Sequence, residues 1–219
     1  MAAPAVPEPG CAKCARLAAF RGANRNAHAD WHNAPVPSFG PLEARLLIVG
    51  LAPGLKGANR TGRPFTGDYA GDLLYATLPK FGYARGRYDA CADDGFELVD
   101  CRITNSVRCV PPENKPTPAE IATCRPYLAG EIAAMPRLET ILALGAIAHQ
   151  TVLTTLGERR AAFPFKHAAV HALGRVRLAD SYHCSRYNTN TGRLTPAMFE
   201  AVFTAIEKTS STRSTSRSR

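Results

Sequence analysis

The strongest pattern in the sequence is the apolar run of residues 44–51 (ARLLIVGL), which stops at Pro53 and Gly54. A continuous apolar run of this length is typical of a β-strand that is covered on both faces. Three more candidate strands follow, over residues 96–104, 140–144 and 175–181. Helical patterns precede, separate and follow the strands, at residues 11–24, 70–80, 118–135, 146–156 and 196–208. Strands that alternate with helices predict an α/β fold with a parallel sheet sandwiched between helices.

The chain has 219 residues, of which 45% are hydrophobic, and this suits one domain with short appendages. Residues 1–10 are rich in alanine and proline and carry no basic residue, so we interpret them as a flexible N-terminus and expect no secretion signal. Residues 209–219 contain only serine, threonine and arginine, and we expect this basic tail to be disordered. The domain is therefore assigned to residues 11–208. No apolar run approaches the roughly 18 residues of a membrane span, so we expect a cytoplasmic protein with no membrane contact.

The charge balance indicates the class of partner. Lysine and arginine number 27 against 18 aspartates and glutamates, and the net charge is +9. An excess of this sign favours a polyanionic partner, and nucleic acid is the commonest one. Part of the excess lies in the basic tail, so a generally basic domain with solubilising charge is the alternative.

In a sheet of this kind the functional residues lie in the loops beyond the carboxyl ends of the strands. Four segments occupy those places: residues 50–72 (GLAPGLKGANRTGRPFTGDYAGD), 104–118 (TNSVRCVPPENKPTP), 144–150 (LGAIAHQ) and 182–195 (YHCSRYNTNTGRLT). Three of them are denser in glycine, asparagine, proline, arginine and threonine than a simple turn requires. We therefore look for the functional site there.

The first loop offers two elements of a binding pocket. Residues 50–54 match neither the P-loop nor the dinucleotide-binding fingerprint, and they form either a tight turn or a backbone wall that a ligand can approach closely. Further along, Phe65 and Asp68 stand close together in RPFTGD. An aromatic ring can stack on a nucleobase, and a carboxylate can orient or activate a water molecule. The alternatives are that Phe65 packs in the core and that Asp68, or Asp72, caps a helix.

His183 directly follows the last predicted strand. An imidazole at this place can donate a hydrogen bond to an oxygen that gains negative charge, although a single histidine is often only a hydrogen-bonded side chain. The loop after it, residues 186–193 (RYNTNTGR), has an arginine at each end with tyrosine, asparagine and threonine between. That mixture suits phosphate contacts and a wedge pushed into a base stack. A merely solvated loop is the alternative.

The seven cysteines are an odd number, so reduced thiols or metal ligands are favoured over a disulfide scaffold. Four of them could hold one metal centre: Cys11, Cys14, Cys109 and Cys124. Four thiolates fit either zinc or an iron–sulfur cluster, and the spacing alone does not choose between them. For Cys91, Cys101 and Cys184 we expect buried free thiols.

Taken together, the segments GLAPG, GANRTGRPFTGD, ITNSVRCVPPENKPTP and SYHCSRYNTNTGRLT resemble the motifs of the iron–sulfur uracil-DNA glycosylases, and most closely the type 5, broad-specificity branch. The resemblance covers residues 11–206 and keeps all motifs in order. It implies a three-layer α/β/α sandwich with a central four-stranded parallel sheet. It also implies a 4Fe-4S cluster held by Cys11, Cys14, Cys109 and Cys124.

The activity implied by the resemblance is DNA repair. A bacterial enzyme of this family would act at the nucleoid on DNA that contains uracil or other deaminated bases. It would flip the base out of the duplex and hydrolyse the N-glycosidic bond, leaving an abasic site without strand cleavage. We expect it to work as a monomer.

The resemblance also assigns roles to residues of this chain. The expected catalytic residues are Asp68, His183 and Asn114, where Asn114 is the asparagine after the double proline. The expected substrate-binding residues are Phe65, Asn105, Ala52 and Gly54, and the expected DNA-binding residues are Arg186, Tyr187, Asn188 and Arg193. As in type 5, residues 51–54 offer no side-chain base.

At the position of Asn105 we expect a small apolar residue in the type 5 branch, whereas the uracil-selective type 4 branch has an asparagine there. A side-chain amide can pair with the edge of uracil through both a donor and an acceptor. We therefore expect a type 5 first motif combined with a type 4-like base reader, and a narrower substrate choice than is usual for type 5.

Two other classes of protein stay open on the residues alone. A non-enzymatic, metal-stabilised nucleic-acid-binding domain would need the cysteines and basic loops, but not Asp68, His183 and Phe65 in register. A hydrolase of free nucleosides or nucleotides would not need the loop of residues 186–193.

Overall fold

The central sheet is built on β1 (Leu46–Gly50), whose five residues are all buried. Its parallel neighbours are β4 (Cys101–Asn105) and β5 (Thr140–Leu144), and β5 pairs in parallel with β7 (Val176–Ser181). These strands are the four predicted ones, in parallel as expected. A fifth strand, β6 (Val170–Leu173), runs antiparallel to β7 at the sheet edge. The sheet therefore has the order β4-β1-β5-β7-β6 and is mixed, not purely parallel.

The strand predicted over residues 96–104 is divided in two. Its first part, β3 (Glu97–Leu98), pairs antiparallel with β2 (Ala84–Arg85) in a separate two-stranded sheet. Asp100 lies at the break, where its carboxylate accepts hydrogen bonds from the backbone N and the Nε of Arg45 at 2.8 and 2.6 Å. This contact holds the chain at the entrance to β4, and the prediction of one continuous strand was wrong here.

The computed structural model describes residues 3–216, with side chains through Thr209. The helices in this part of the chain are α1 (Ala15–Ala27), α2 (Ala58–Thr61), α3 (Tyr69–Thr77), α4 (Pro118–Ala134), α5 (Ala146–Thr155), α6 (Arg186–Asn190) and α7 (Pro196–Ser216). Short 3-10 segments lie at Leu78–Phe81, Pro112–Asn114 and Arg160–Ala162. The longer helices begin within four residues of their predicted starts. The backbone of α7 continues through Ser216, into the segment for which the sequence predicts disorder, and residues 217–219 lie outside the described chain.

Two hydrophobic clusters cover the two faces of the sheet. Along β1, Leu46 and Ile48 belong to one cluster and Leu47 and Val49 to the other, as the two-residue period of a strand requires. The first cluster is completed mainly by buried residues of α3 and α7, and the second by those of α4 and α5. The predicted three-layer α/β/α sandwich is thus confirmed.

Helix α4 begins with a capping box, in which Thr117 Oγ1 accepts from the Glu120 N–H and the Glu120 carboxylate accepts from the Thr117 N–H. The same carboxylate accepts from Arg16 Nε and Nη2 at 2.8 and 2.7 Å. This ion pair ties α1 to α4 and brings the N-terminal cysteines toward the core.

Within the described residues, no helix has both the length and the apolar character that crossing a bilayer requires.

Candidate active site

The carboxyl ends of β1, β4 and β7 open onto a cavity of about 690 Å³. Its wall comes from the loop after β1, the start of α3, the end of β4 and the segment after β7. The lining residues are Leu51, Ala52, Pro53, Gly54, Lys56, Ala58, Phe65, Gly67, Asp68, Tyr69, Ala70, Asn105, Asn114, His183, Ser185, Arg186 and Tyr187. The predicted catalytic and substrate-binding residues are thus all brought to one cavity.

Phe65 forms one wall of the cavity in a strained backbone conformation. Its φ is +54°, an uncommon value for a residue with a side chain, and the residue is 7% exposed. The position depends on two glycines: a Cβ at Gly50 would come within 2.6 Å of Phe65 Cζ, and a Cβ at Gly71 would overlap the Phe65 carbonyl. Strain of this kind costs about 1–3 kcal/mol and is concentrated at functional sites.

Asn105 is the last residue of β4 and pairs in register with Gly50. The residue is 3% exposed, and its Oδ1 has no hydrogen-bond partner among the described residues. The methyl-free Gly50 makes room for this amide, since a Cβ there would collide with Asn105 Oδ1. A buried acceptor without a partner costs about 1–3 kcal/mol, and a ligand that brings an N–H group can satisfy it.

Asp68 caps α3 and also lines the cavity. Its Oδ1 accepts from the Gly71 N–H at 3.3 Å, while Oδ2 faces the first loop, where a Cβ on Gly54 would come within 2.7 Å of it. Burial raises the pKa of Asp68, although the backbone N–H groups of Gly71 and Ala70 lower it in part. A carboxylate with a raised pKa is a stronger base and is well suited to accept a proton from water.

His183 stands two residues beyond the end of β7. Its ring is tilted by 32° to that of Phe65, with a centroid distance of 5.9 Å, and its backbone carbonyl accepts from Asn188 Nδ2 at 2.8 Å. Burial lowers the pKa of His183 to about 4. The imidazole is therefore neutral near pH 7, with one N–H group to donate.

Asn114 reaches the cavity from a turn of unusual backbone geometry. Both Glu113 and Asn114 have positive φ, at +54° and +57°. The Asn114 N–H donates to the Pro111 carbonyl at 3.2 Å, which closes the turn after the double proline. The proline pair and the turn thus set the place from which Asn114 lines the cavity.

The segment after His183 borders the mouth of the cavity. Ser185 caps the short helix α6, and Tyr187 is 72% exposed beside the opening. The Arg186 guanidinium lies 5.3 Å from the centre of the Tyr69 ring, and that of Arg193 lies 4.7 Å from the centre of the Tyr182 ring. Asn188 and Arg193 do not line the cavity. Asn188 Nδ2 donates to the His183 carbonyl, and Arg193 is exposed.

Four cysteines converge at a second, smaller cavity, as the sequence analysis expects. Its lining includes Cys11, Cys14, Cys109 and Cys124. Arg21, which is 4% exposed, donates from Nη1 to Cys109 Sγ at 2.9 Å, and its buried Nε has no partner. The Arg108 N–H donates to Cys124 Sγ at 3.4 Å. Burial raises the pKa of Cys109 to about 11, and the Arg21 guanidinium opposes this shift by favouring negatively charged sulfur.

The three remaining cysteines are free thiols, as are all seven in the chain. Cys101 and Cys184 are fully buried, as expected, whereas Cys91 is only half-buried. The expectation of burial was therefore wrong for Cys91, which lies in the loop between β2 and β3.

Comparison with known proteins decides the family. The family model described as the uracil DNA glycosylase superfamily matches residues 37–207. The chain belongs to this superfamily.

Within the uracil DNA glycosylase superfamily, the chain is similar to type 5 proteins over most of its length. The chain is 44% identical over 198 residues to the type-5 uracil-DNA glycosylase of Thermus thermophilus, covering 88% of this chain and 90% of that protein. It is also 44% identical over 207 residues to the type-5 enzyme of Mycobacterium leprae, covering 90% of each. The type-4 uracil-DNA glycosylase of Pyrobaculum aerophilum is 37% identical over 126 residues, 57% of this chain. The resemblance to the type 5 branch is thus confirmed.

The cavity of this uracil DNA glycosylase fold also includes residues that the sequence did not predict. Lys56 and Tyr69 line the cavity, and a Cβ at Gly57 would come within 2.7 Å of Asp68 Cγ. All three lie in the first loop or directly after GRPFTGD. Their place in those segments indicated that they lie near the site. The sequence did not show that they face the cavity.

Proposed function

We propose that this protein is a monofunctional uracil-DNA glycosylase that flips a deaminated base into the large cavity and hydrolyses its N-glycosidic bond. The observation that carries this proposal is the convergence of a buried ring, Phe65, an unpartnered amide, Asn105, and a neutral imidazole, His183, in one cavity at the strand ends. A flat base with N–H and C=O groups along one edge matches these three groups.

Base recognition rests on Phe65 and Asn105. The Phe65 ring would stack on the flipped base. The Asn105 amide offers one acceptor and one donor pair, which complement the N3–H and the O4 of uracil. Gly54 and Ala52 form part of the same wall, where the small side chains leave space for the base.

Bond cleavage requires a leaving anion and a nucleophile. When the N-glycosidic bond breaks, its electron pair goes to N1 of uracil, and the neutral His183 would donate a hydrogen bond to the oxygen that gains charge. Asp68 would hold the attacking water, whose oxygen binds C1′ while its proton passes to the carboxylate. Asn114, which also lines the cavity, would help to orient the sugar or the water. The uracil anion then takes up a proton, which regenerates the Asp68 carboxylate when it comes from there, and the products are free uracil and an abasic site.

Contacts with DNA fall to the segment after β7. Arg186 and Arg193 would bind phosphates, and the exposed Tyr187 would occupy the gap left by the flipped nucleotide. Asn188 would hold this loop against His183 through its hydrogen bond to the His183 carbonyl. The +9 charge supports binding of this kind.

We also propose a 4Fe-4S cluster at Cys11, Cys14, Cys109 and Cys124. In a zinc site with Zn–S bonds near 2.3 Å, the sulfur atoms lie about 3.8 Å apart. All four thiols lie in the described part of the chain, and no three of them have their sulfur atoms within 4.8 Å of one another. This wider spacing favours a polynuclear cluster, and the buried Arg21 suits its negative charge. When bound, the cluster would hold the N-terminal segment to the core.

The test is formation of abasic sites on a labelled duplex with one uracil. We expect alkali-labile sites with wild-type protein, no strand cleavage before alkali, and no hydrolysis of free deoxyuridine. A protein that binds the duplex but forms no abasic sites would be a binding domain, and hydrolysis of deoxyuridine alone would indicate a nucleoside hydrolase.

A further inference from the structure

Away from both cavities, three side chains from different elements meet in the interior. They are His149 of α5, His171 of β6 and Asp180 of β7. In the part of the chain that the structure describes, they form the only group of three histidine, cysteine, aspartate or glutamate side chains with ligand atoms within 4.8 Å of one another. Asp180 is fully buried, and its two carboxylate oxygens face one histidine each: His149 Nδ1 at 2.6 Å and His171 Nε2 at 3.1 Å.

The hydrogen bonds of His149 define what must lie between it and Asp180. Its Nε2 is 2.8 Å from the Phe163 carbonyl oxygen, which can only accept, so Nε2 carries a hydrogen. In neutral imidazole, Nδ1 is then a lone pair that faces a carboxylate oxygen, also an acceptor, at 2.6 Å. Two acceptors at this distance share a proton, which makes an imidazolium–carboxylate pair. Two ligand atoms of one zinc ion lie about 3.3 Å apart, so a metal ion can take the place of this proton only by widening the contact.

The surroundings have the features of a metal site. A metal-binding histidine usually donates its other ring N–H to a carbonyl or carboxylate, and ligating carboxylates are themselves hydrogen-bonded. Here His149 has the Phe163 carbonyl, and Asp180 Oδ2 accepts from the Lys166 N–H at 3.2 Å. The side chain of His171 is 16% exposed, so solvent has access from that side. We propose that His149 Nδ1, His171 Nε2 and an Asp180 oxygen bind one divalent transition-metal ion of the zinc type.

Such a metal would join α5, β6 and β7 at a place three residues before His183. Two imidazoles and one carboxylate suit Zn²⁺, with the fourth position left for water. Because the metal replaces the proton between His149 and Asp180, binding releases about one proton, and affinity rises with pH.

The experiment uses the full chain with its native iron content and Zn²⁺ as the probe. Wild-type protein, cleared of loosely bound metal, is titrated by calorimetry in two buffers of different ionisation enthalpy, and iron is quantified before and after. We expect one zinc per chain, one proton released, unchanged iron, and an at least tenfold weaker affinity for His171→Gln. His28→Gln is the matched control, because His28 is exposed and stacks on Trp31.

Zinc-edge X-ray absorption separates this site from the cysteines. We expect only nitrogen and oxygen neighbours near 2.0–2.2 Å, and a sulfur shell near 2.3 Å would place the zinc at the thiols and overturn the proposal. His149→Asn serves as a second variant if His171→Gln folds poorly. Equal affinity in wild type and both variants, or no binding at all, would leave the triad as an imidazolium–carboxylate pair and overturn the proposal as well.

Discussion

Replacing Asn105 by alanine should change activity and stability in opposite directions. In the free protein, Asn105 is 3% exposed and leaves Oδ1 unpartnered, at a cost of about 1–3 kcal/mol. Asn105→Ala removes that cost and some packing of the side chain. We therefore expect the free energy of unfolding to stay equal or to rise.

The rate of uracil release should fall in the same variant. If the amide makes two hydrogen bonds to the base, each with a net contribution of about 1 kcal/mol, the loss is about 30-fold. If no water reaches the uracil edge and its two groups stay unpartnered, each at a cost of about 3 kcal/mol, the loss in rate approaches ~10⁴-fold. Hypoxanthine carries an equivalent O6 acceptor and N1–H donor, but its larger bicyclic ring places them elsewhere in the cavity. Its release should therefore change by only a few-fold, so the uracil-to-hypoxanthine ratio falls.

The assay is single-turnover base release from uracil and hypoxanthine duplexes, together with thermal melting of each protein at equal iron content. Asn26→Ala, an exposed asparagine on α1, is the matched control and should change neither quantity. An unchanged rate ratio would show that Asn105 does not read the base. A loss of stability in parallel with activity would show that its role is structural.

Three further predictions concern the chemistry and the cluster. Burial raises the pKa of Asp68, and the carboxylate is the active form, so activity should fall as the pH drops through that raised pKa. Asp68→Asn should release the base more slowly by orders of magnitude and should no longer show this loss of activity at low pH. A rate within a few-fold of wild type would exclude Asp68 from the mechanism. His183→Ala should slow base release about 10²–10³-fold at unchanged melting temperature, because one well-placed donor contributes about 3–4 kcal/mol; an equal drop at all pH values above 5 is expected, since burial keeps the imidazole neutral. Cys109→Ser should reduce iron content and the melting temperature, whereas Cys91→Ser, the matched control at a half-buried cysteine, should change neither; full iron retention in Cys109→Ser would remove it from the ligand set.

The sheet and the cavity were predictable because their signals are local. The apolar run of residues 44–51 and the loops dense in glycine and asparagine lie within single segments, and parallel strands bring those loops to one edge. Phe65, Asp68 and His183 could therefore be placed together before any contact was known. The roles of these residues stay predictions.

What the sequence did not reveal depends on contacts between distant segments. β6 is a short edge strand with only half-buried and exposed residues over most of its length, so it lacks the apolar pattern of the central strands. The contact between His149 and Asp180 depends on how α5 packs on β7, and it cannot be predicted from the spacing of these residues in the sequence. The same holds for Gly50, whose place opposite Asn105 follows from the register of β1 and β4.

The glycines around the cavity have a consequence for reading natural variants and designing libraries. At Gly50 a single methyl group would strike both Phe65 and Asn105, and at Gly54 or Gly57 it would strike Asp68. None of the three has a side chain that could touch DNA, and an alanine there adds only a methyl group and no charge. A scale based on chemical similarity would score these substitutions as mild, whereas the contacts predict that they displace the ring, the amide or the carboxylate. Saturation libraries aimed at substrate range should therefore keep these glycines fixed and vary the residues whose side chains pack against them.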